Sequence, residues 1–318
     1  MHNYDVWKWQ GNSLVSHSFG QINYPSYVSE TSPVAVWFQN CIVTGQCVSN
    51  CTDAKAKIMI LDSTTGKLKK EIVVPQGWHS YSNKGFKTSA NGKFVVGLYE
   101  EDAAQNRDSN NAPEKPGLKL SIIGPDIDDF RWVGPVANRR NWGVLTDYAI
   151  SNDGAYTAIA GWWDNETIVV DNYTGKLLWH IRPTDGTVNG MVFSHDGNKL
   201  YLFESRGGLF VIDTVTGHNL RKLWSGNYPR DFHNWQASAM AVSPNSKYLA
   251  MAIYSHDDMM GFVYLLNLNN NKLVKIINYE DAYYMERSCV DALLFSPDST
   301  KLATSKSMGT IKIWNCDD

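Results

Sequence analysis

The 318-residue chain carries 29 Lys and Arg against 32 Asp and Glu, which gives a formal net charge of −3. This balance argues against nucleic-acid binding, because neutralising phosphates requires clustered basic residues. No apolar run approaches the roughly 18 residues that a membrane-spanning helix needs, and the first residues do not resemble a signal peptide. We therefore expect a cytoplasmic protein with neither nucleic-acid nor membrane partners. The unusual feature of the composition is its 12 Trp, 16 Tyr and 11 Phe.

A unit of strand, tight turn and strand recurs along the chain. Its turn has the form Ser-x-x-Gly, Ser or Asn, and these residue types supply the backbone shapes of tight reversals. A third strand follows each unit, and a fourth strand follows most of them, as at 67–74 and 176–181. The units lie at 34–45 (a degenerate copy without the Ser), 86–98, 148–161, 191–203, 240–253 and 294–305; the third strands lie at 57–67, 118–126, 167–176, 208–218, 262–272 and 310–318.

Four short strands per 40–50 residues is the period of a β-propeller blade, and no helical periodicity of useful length competes with it. The sequence therefore predicts an all-β chain, with residues 1–318 forming a single β-propeller of four-stranded antiparallel blades. The repeats at 34–315 give six blades, and a strand at 14–19 within the lead-in 1–33 is expected to complete the last blade. Such closure removes an exposed sheet edge. The segment 4–10 also reads as a third strand, which leaves seven blades as the alternative.

Two stretches resemble a known family. FSPDSTKLATSKSMGTIKIWN (295–315) resembles a WD-repeat blade, and VFSHDGNKLYLFESRGGLFVIDTVTG (192–217) is similar to repeats of YVTN-type propellers. The resemblance implies the same propeller architecture over about residues 34–315. Only Trp314-Asn315 approaches the Trp-Asp ending, and the Gly-His dipeptide is missing. The buried Asp–His–Ser/Thr–Trp network of the family is therefore expected to be absent or replaced.

The two ends of the predicted blades differ in their connections. We call the end with the first–second and third–fourth connections the turn face, because its connections are minimal, such as SNDG (151–154) and NYTG (172–175). The opposite end, the loop face, carries the blade-to-blade connections at 20–33, 75–85, 134–145, 182–189, 225–237 and 278–289, and longer within-blade loops at 45–56 and 99–117. Loops longer than a turn requires are often functional.

The loop-face segments are rich in Trp, Tyr and Arg, the residue types that dominate interaction hot spots. They predict a non-catalytic scaffold that binds a protein or peptide segment. Replacing Trp235 and Tyr283 by Ala is expected to abolish binding with little loss of thermal stability, whereas a large loss would indicate that these aromatics cap the core. In contrast, Trp37, Trp179 and Trp224 fall in strand patterns and read as core. The candidate binding residues are Trp78, Tyr81, Arg140, Trp142, Tyr228, Arg230, Trp235, Tyr283 and Arg287.

Other chemistries have weaker signals, and we predict no catalytic residue, no metal and no cofactor. The Cys41, Cys47 and Cys51 cluster is compatible with free thiols, a Cys47–Cys51 disulfide or a metal, but the spacing lacks the partner ligands of a zinc site. The segment His256–Asp258 supplies too few ligands for a cation site. The alternatives are an enzyme with its site at the channel mouth, or a structural module of a larger assembly. The enzyme would be hydrolytic around Asp231, His233 and His79, or quinone-dependent, since 167–181 resembles one quinoprotein propeller repeat.

Overall fold

Antiparallel strands make up the regular structure of the chain. The computed structural model describes residues 4–19, 35–46, 57–75, 78–80, 86–89, 91–101, 117–138, 145–161, 166–182, 186–206, 208–218, 220–225, 235–255, 260–278, 290–306 and 311–317. These residues form 26 strands in seven sheets and no helix. Within them, accordingly, no helix has the length and apolar character needed to cross a membrane.

The first three sheets lie in the N-terminal part of the chain. Sheet 1 pairs β1 (Tyr4–Gln10) with β2 (Ser13–Phe19). Sheet 2 contains β3 (Ala35–Phe38), β4 (Cys41–Gln46), β5 (Lys57–Asp62) and β6 (Leu68–Val73). Sheet 3 contains β7 (Trp78–Ser80), β8 (Lys87–Thr88), β9 (Val95–Glu101), β10 (Gly117–Ile123) and β11 (Phe130–Asn138).

The remaining four sheets follow in the same strand order. Sheet 4 contains β12 (Leu145–Ile150), β13 (Tyr156–Gly161), β14 (Thr167–Asp171) and β15 (Leu177–Ile181). Sheet 5 contains β16 (Val188–Phe193), β17 (Lys199–Glu204), β18 (Gly208–Asp213) and β19 (Arg221–Ser225). Sheet 6 contains β20 (Trp235–Val242), β21 (Tyr248–Ser255), β22 (Met260–Asn267) and β23 (Lys272–Asn278). Sheet 7 contains β24 (Val290–Phe295), β25 (Lys301–Lys306) and β26 (Ile311–Asn315).

The predicted Ser-led turns between first and second strands are confirmed. In sheet 4, Ser151 Oγ donates to Asp153 Oδ1 (2.6 Å) and accepts from the backbone N–H of Tyr156 (2.9 Å). The side chains thus hold the turn closed, as Ser and Asx side chains do when they bond nearby backbone groups. The same arrangement recurs at Ser89, Ser194, Ser243 and Ser296.

The turns between the third and fourth strands of sheets 2, 4 and 5 are closed by an Asp side chain. In sheet 2, Asp62 Oδ1 accepts from the backbone N–H groups of Thr64 (3.0 Å) and Thr65 (2.8 Å). Gly66 then takes a φ of 68°, a left-handed conformation that favours glycine. Asp171 and Asp213 make the equivalent bonds in their own turns. The turn face is therefore built from locally satisfied polar groups.

Successive sheets stack through apolar faces around a common centre. The first strands of neighbouring sheets touch one another along the series β3, β8, β12, β16, β20 and β24. Between sheets 3 and 4, Tyr148 and Ile159 pack with Val96, Leu120 and Ile122 in one buried cluster. Equivalent clusters fill the spaces between sheets 2 and 3, 4 and 5, 5 and 6, and 6 and 7. Repeated four-stranded antiparallel sheets stacked in this way give an all-β, β-propeller-like fold.

The N-terminal segment differs from its predicted place. Residues 14–19 were expected to complete the last blade, whereas β2 pairs with β1 in a separate two-stranded sheet. A two-residue turn at Gly11 and Asn12 joins them, so this local pairing closes a far shorter loop than pairing with sheet 7. Within the described residues, sheet 7 has three strands. The Asn12 side chain, in the β1–β2 turn, contributes weakly to the lowered pKa of Asp298 in the β24–β25 turn.

One side-chain hydrogen bond joins the second and third strands of sheet 7. Trp314 Nε1 on β26 donates to Thr304 Oγ1 on β25 at 3.0 Å. Trp179 and Trp224, predicted to lie in the core, are partly buried and pack against the edges of the clusters. Trp179 Nε1 bonds to Thr214 O in the next sheet (2.7 Å), and Trp224 lies 5.2 Å from the ring centroid of Tyr264.

Candidate functional site

Two of the nine predicted binding residues lie within the described part of the chain. Trp78 is the first residue of β7 and pairs with Glu101, and Trp235 is the first residue of β20. Both were expected in loops, but each begins the first strand of its sheet at the loop face. The other seven lie outside the described residues: Tyr81, Arg140, Trp142, Tyr228, Arg230, Tyr283 and Arg287.

The exposed role expected for Trp235 is wrong. Its side chain is 1% exposed and packs in the cluster between sheets 5 and 6, with its ring centroid 6.1 Å from that of Phe262. Extended backbone starting at Trp235 turns the indole into the sheet–sheet space, where a large apolar surface is stabilised by burial. A side chain at this depth has no surface to offer a partner, so we remove Trp235 from the candidate set.

The backbone of Trp235 joins two neighbouring sheets. Its N–H donates to Ser205 O (3.1 Å), and its carbonyl accepts from Asn189 Nδ2 (2.8 Å). Asn189 Oδ1 in turn accepts from the N–H of Ala237 (3.1 Å). One amide side chain on the first strand of sheet 5 thus satisfies a donor and an acceptor on the first strand of sheet 6. The Asn189 side chain therefore ties the two first strands together.

The same tie recurs around the centre. Thr146 Oγ1 on β12 donates to Val188 O on β16, and Ser238 Oγ on β20 lies 2.6 Å from Val290 O on β24. Each polar residue sits where the pairing of the first strand with the second shifts by one residue. Such a bulge re-aims a side chain away from its own sheet, here toward the next first strand.

Sequence reasoning missed these inter-sheet ties, although a signal was present. Each tying residue stands five positions before the Ser of its first–second turn: Thr146 before Ser151, Asn189 before Ser194 and Ser238 before Ser243. Aligning the repeats on that Ser would have exposed a recurring polar position in an otherwise apolar strand. Asp291 occupies the same place before Ser296, at the pairing shift of β24 with β25.

A partly buried ion pair joins sheets 3 and 4, and its carboxylate also binds sheet 5. Lys87 Nζ lies 2.7 Å from Asp147 Oδ1, and Asp147 Oδ2 accepts from the N–H of Met191 (2.9 Å). The ammonium also lies 5.1 Å from the ring centroid of Tyr148. Burial, with smaller contributions from the nearby Tyr99 and Asp147, raises the pKa of Tyr148 well above its ordinary value. This phenol therefore stays protonated across the physiological range.

The loop-face ends of sheet 5 are held by a buried carboxylate. Glu204 Oε2 at the end of β17 accepts from the N–H of Gly186 (3.0 Å), just before β16. Beside it, Ser205 Oγ accepts from the N–H of Thr187 (3.2 Å). A Cβ at Gly186 would lie 2.3 Å from the carboxylate, so a larger residue there would displace the Glu204 carboxylate from this position. The strand ends from which the loops depart are thus fixed by hydrogen bonds.

The described cysteines are not arranged for metal binding. Cys41 and Cys316 are free and buried in sheets far apart in sequence, and burial raises the pKa of the Cys316 thiol to about 11. Cys47, Cys51 and Cys289 lie outside the described residues, as do His256–Asp258, Asp231 and His233. Within the described ranges, no group of three or more His, Cys, Asp or Glu side chains is placed to hold a metal.

Comparisons with known proteins support the fold alone. No protein-family model and no curated protein matches the sequence. Among solved structures, the chain is similar to "Kuenenia stuttgartiensis Hydrazine Synthase", with a TM-score of 0.50 and 15% sequence identity. The match covers 72% of this chain and 62% of the hydrazine synthase chain, so the chain spans less than two thirds of that protein. At this identity the similarity concerns architecture and carries no activity over.

Proposed function

We propose that this chain is a non-catalytic, propeller-like scaffold that binds a protein or peptide segment at its loop face. The observation that carries the proposal is the contrast between the two faces. On the turn face, Ser-led turns recur in sheets 3 to 7 and Asp-led turns in sheets 2, 4 and 5, each closed by its own side chains. The opposite strand ends are joined by longer, aromatic- and Arg-containing segments.

The inner strands supply a reason to favour a scaffold over an active site. The side chains of Thr146, Asn189, Ser238 and Asp147 each bond to a backbone group of the next sheet. These side chains already hydrogen-bond to the backbone of the next sheet and stabilise the packing between sheets. Breaking those bonds so that the side chains could bind a substrate would cost free energy. These bonds hold the strand ends at fixed distances. A partner that binds the loop-face segments then loses less conformational entropy on binding than it would on a mobile framework.

The binding residues would be those of the predicted set other than Trp235. Aromatic side chains would bury large surface at small entropy cost, and Arg would pair with carboxylates or carbonyl groups of the bound segment. The set comprises Trp78, Tyr81, Arg140, Trp142, Tyr228, Arg230, Tyr283 and Arg287.

The ring itself would have seven positions. The contact of β1 with β3, together with the weak influence of Asn12 on the pKa of Asp298, supports a place for sheet 1 between sheets 7 and 2. In this arrangement sheet 1 is a blade position of its own, rather than an addition to the last of six blades. Membership of the WD-repeat-like superfamily is part of the same proposal and rests on the repeats in sheets 5 and 7.

A displayed peptide library tests the scaffold proposal. Peptides selected on the purified chain should lose at least about tenfold in affinity on Arg230→Ala or Tyr283→Ala, the size expected of a hot-spot residue. The matched variants Lys67→Ala and Val215→Ala change exposed residues of the turn face and should bind as the unchanged chain does. Failure to select any peptide, or loss of binding only in the turn-face variants, would refute the proposal.

A further inference from the structure

The last strands of sheets 2 to 7 form outer edges, on the side of each sheet opposite the first strands that contact one another. An exposed edge presents backbone N–H and C=O groups that can pair with a further strand, and proteins commonly guard such edges with charged residues or Pro. Five of these six described strands contain Lys, Arg or Pro: β6, β11, β19, β23 and β26. The sixth, β15, has the sequence LLWHI and contains none of them.

One register position shows the difference most clearly. In sheet 4, Trp179 on β15 pairs with Val169, two positions before the turn residue Asp171. In sheets 2, 3, 5 and 6 the outer-strand residue at the same register is basic: Lys70, Arg131, Arg221 and Lys275. The outer edge of sheet 4 therefore lacks a charge that the other four edges carry at this point.

Trp179 fixes β15 in place without adding a charge. Its Nε1 donates to Thr214 O in the third–fourth turn of sheet 5 (2.7 Å), just as Arg131 Nε donates to Asn172 O in the equivalent turn of sheet 4 (3.3 Å). Within its own sheet, β15 pairs with β14. An incoming strand would meet an edge that is already ordered, which lowers the entropy cost of binding.

The surface of β15 is apolar between two basic residues. Leu177 is 46% exposed and Leu178 is 37% exposed. Lys176 immediately precedes the strand and Arg182 immediately follows it, and both side chains are exposed. Arg182 also lies 3.4 Å from Glu166 Oε1. The edge thus offers five residues without Lys, Arg, Asp or Glu, with a cationic side chain at each end.

These two charges distinguish between possible occupants. Antiparallel pairing of β15 with β15 of a second copy, in the register that overlaps all five residues, would place Lys176 opposite Arg182. Like charges directly opposite one another destabilise a strand pair. A strand with acidic residues at both ends would instead place opposite charges at both positions. Charge complementarity therefore favours an acidic-ended strand over a second copy of this chain.

We propose that β15 binds an extended segment of a partner polypeptide, which adds a fifth strand to sheet 4 by antiparallel pairing. The segment has β-branched or other apolar residues at its centre and Asp or Glu at both ends. Backbone hydrogen bonds supply the affinity, while the exposed leucines and the flanking charges select the sequence. This site lies along the side of sheet 4 and uses none of the candidate residues of the loop face.

The probe for this edge is the synthetic peptide Glu-Glu-Val-Thr-Val-Thr-Val-Glu-Glu. Amide hydrogen exchange in Leu177–Ile181 should slow by about tenfold or more as the peptide is added up to about 1 mM, because pairing protects the outward-facing amides. Only alternate peptide amides face β15. N-methylation of one alternate set should therefore abolish the protection, whereas N-methylation of the other set should retain it.

Leu178 and Val274 provide a matched pair of variants. Each is the extra residue where the pairing of a fourth strand shifts, and they are 37% and 40% exposed. Leu178→Lys gives β15 the residue that β6 carries at this place, Lys69, and should abolish the protection. Val274→Lys, on an edge that already contains Lys, should retain it.

The flanking charge is tested by reversal. Lys176→Glu should weaken binding of the acidic-ended peptide by at least about threefold, and the same peptide with Lys in place of Glu should bind this variant more tightly than it binds the parent chain. Lys67→Glu changes the equivalent residue of sheet 2, since Lys67 and Lys176 each accept a backbone hydrogen bond from the Asp of their turn. Lys67→Glu should leave binding unchanged.

Several outcomes would overturn the proposal. They are the absence of protection at about 1 mM peptide, protection that survives Leu178→Lys, and equal loss from both N-methylated peptides. Strong protection of β15 in the free monomer would show that this chain covers its own edge, and protection that grows with chain concentration alone would indicate a second copy. Arg230→Ala should retain peptide binding, so failure of the scaffold proposal would not affect this result.

Discussion

Lys87 Nζ and Asp147 Oδ1, 2.7 Å apart, join the first strands of two consecutive sheets through an ion pair. Asp147 is almost completely buried and its second carboxylate oxygen accepts from Met191 N–H on the following sheet. One carboxylate therefore links three sheets. Loss of Lys87 is expected to cost the most stability, because it leaves the buried Asp147 carboxylate without this compensating neighbour.

The two partners of this ion pair should differ in their effects on stability. Lys87→Met leaves a buried carboxylate without this counter-ion and should lower the free energy of unfolding by about 3 kcal/mol. Asp147→Asn leaves the ammonium, which is 29% exposed, within reach of water and should cost about 1–2 kcal/mol. In the double variant the losses should be less than additive by more than about 0.5 kcal/mol. Chemical denaturation of the four proteins measures this coupling, and strictly additive losses would mean that the pair is not energetically linked.

Trp235→Ala should destabilise the folded protein. Removing a fully buried Trp from the cluster between sheets 5 and 6 is expected to lower the free energy of unfolding by about 3–5 kcal/mol. The matched variant Val215→Ala, at a half-exposed position, should stay within about 0.5 kcal/mol of the parent protein. Thermal and denaturant unfolding distinguish the two. A Trp235→Ala protein of unchanged stability would restore the loop-surface role that the sequence first suggested.

Trp235 illustrates where sequence reasoning reached its limit. The repeats predicted the strands, their antiparallel order and both kinds of turn, because short-range alternation and turn chemistry are encoded locally. The segment 225–237 read as one loop, since the start of β20 depends on how far its pairing with β21 extends, and Trp235 pairs with Ser255 at the open end of that hairpin. The same limitation applies to β1 and β2. Their strand character was recognisable at 4–10 and 14–19, but the choice between a local hairpin and pairing with sheet 7 was not.

The inter-sheet ties were predictable in kind but not in partner. A polar residue five positions before the turn Ser is visible in the sequence at Thr146, Asn189 and Ser238. What it bonds to depends on the packing of whole sheets, as the bond from Asn189 to Trp235 O shows. For the loop-face residues, the sequence gives composition and position along the chain, whereas their mutual arrangement depends on tertiary packing that no local pattern encodes.

Gly154 and Gly197 offer a matched pair for separating backbone strain from packing. They occupy the same position of the Ser-led turns in sheets 4 and 5, with φ of 74° and 73°. A Cβ at Gly154 would lie 2.2 Å from the Phe94 ring, whereas at Gly197 the nearest atom is 3.9 Å away. Gly197→Ala should therefore cost about 1–2 kcal/mol from the left-handed backbone alone. Gly154→Ala should add about 1–3 kcal/mol for displacing the buried ring.

Denaturant unfolding of both glycine variants gives the comparison directly. The difference between them is the packing contribution, because the backbone contribution is common to the pair. Combining Gly154→Ala with Phe94→Leu should recover part of the loss, since the smaller side chain relieves the overlap. Equal losses for the two single variants would show that the Phe94 ring moves aside without cost.

Asp298 should contribute to acid sensitivity. The hydrogen bond from Ser296 Oγ, followed by the N–H of Thr300, lowers its pKa from an ordinary 3.8 to about 2. A carboxyl whose pKa is lower in the folded state stabilises the fold above its unfolded pKa, and this contribution is lost as the pH falls through the folded value. The contribution of Asp298 should thus be complete above about pH 4 and disappear toward pH 2.

Asn91 and Asn245 occupy the same turn position in sheets 3 and 6, so Asp298→Asn should preserve the turn while removing the titrating group. Stability measured from pH 5 to 2 should then fall less steeply in Asp298→Asn than in the parent chain, whereas parallel pH profiles would show that Asp298 does not titrate differently in the two states.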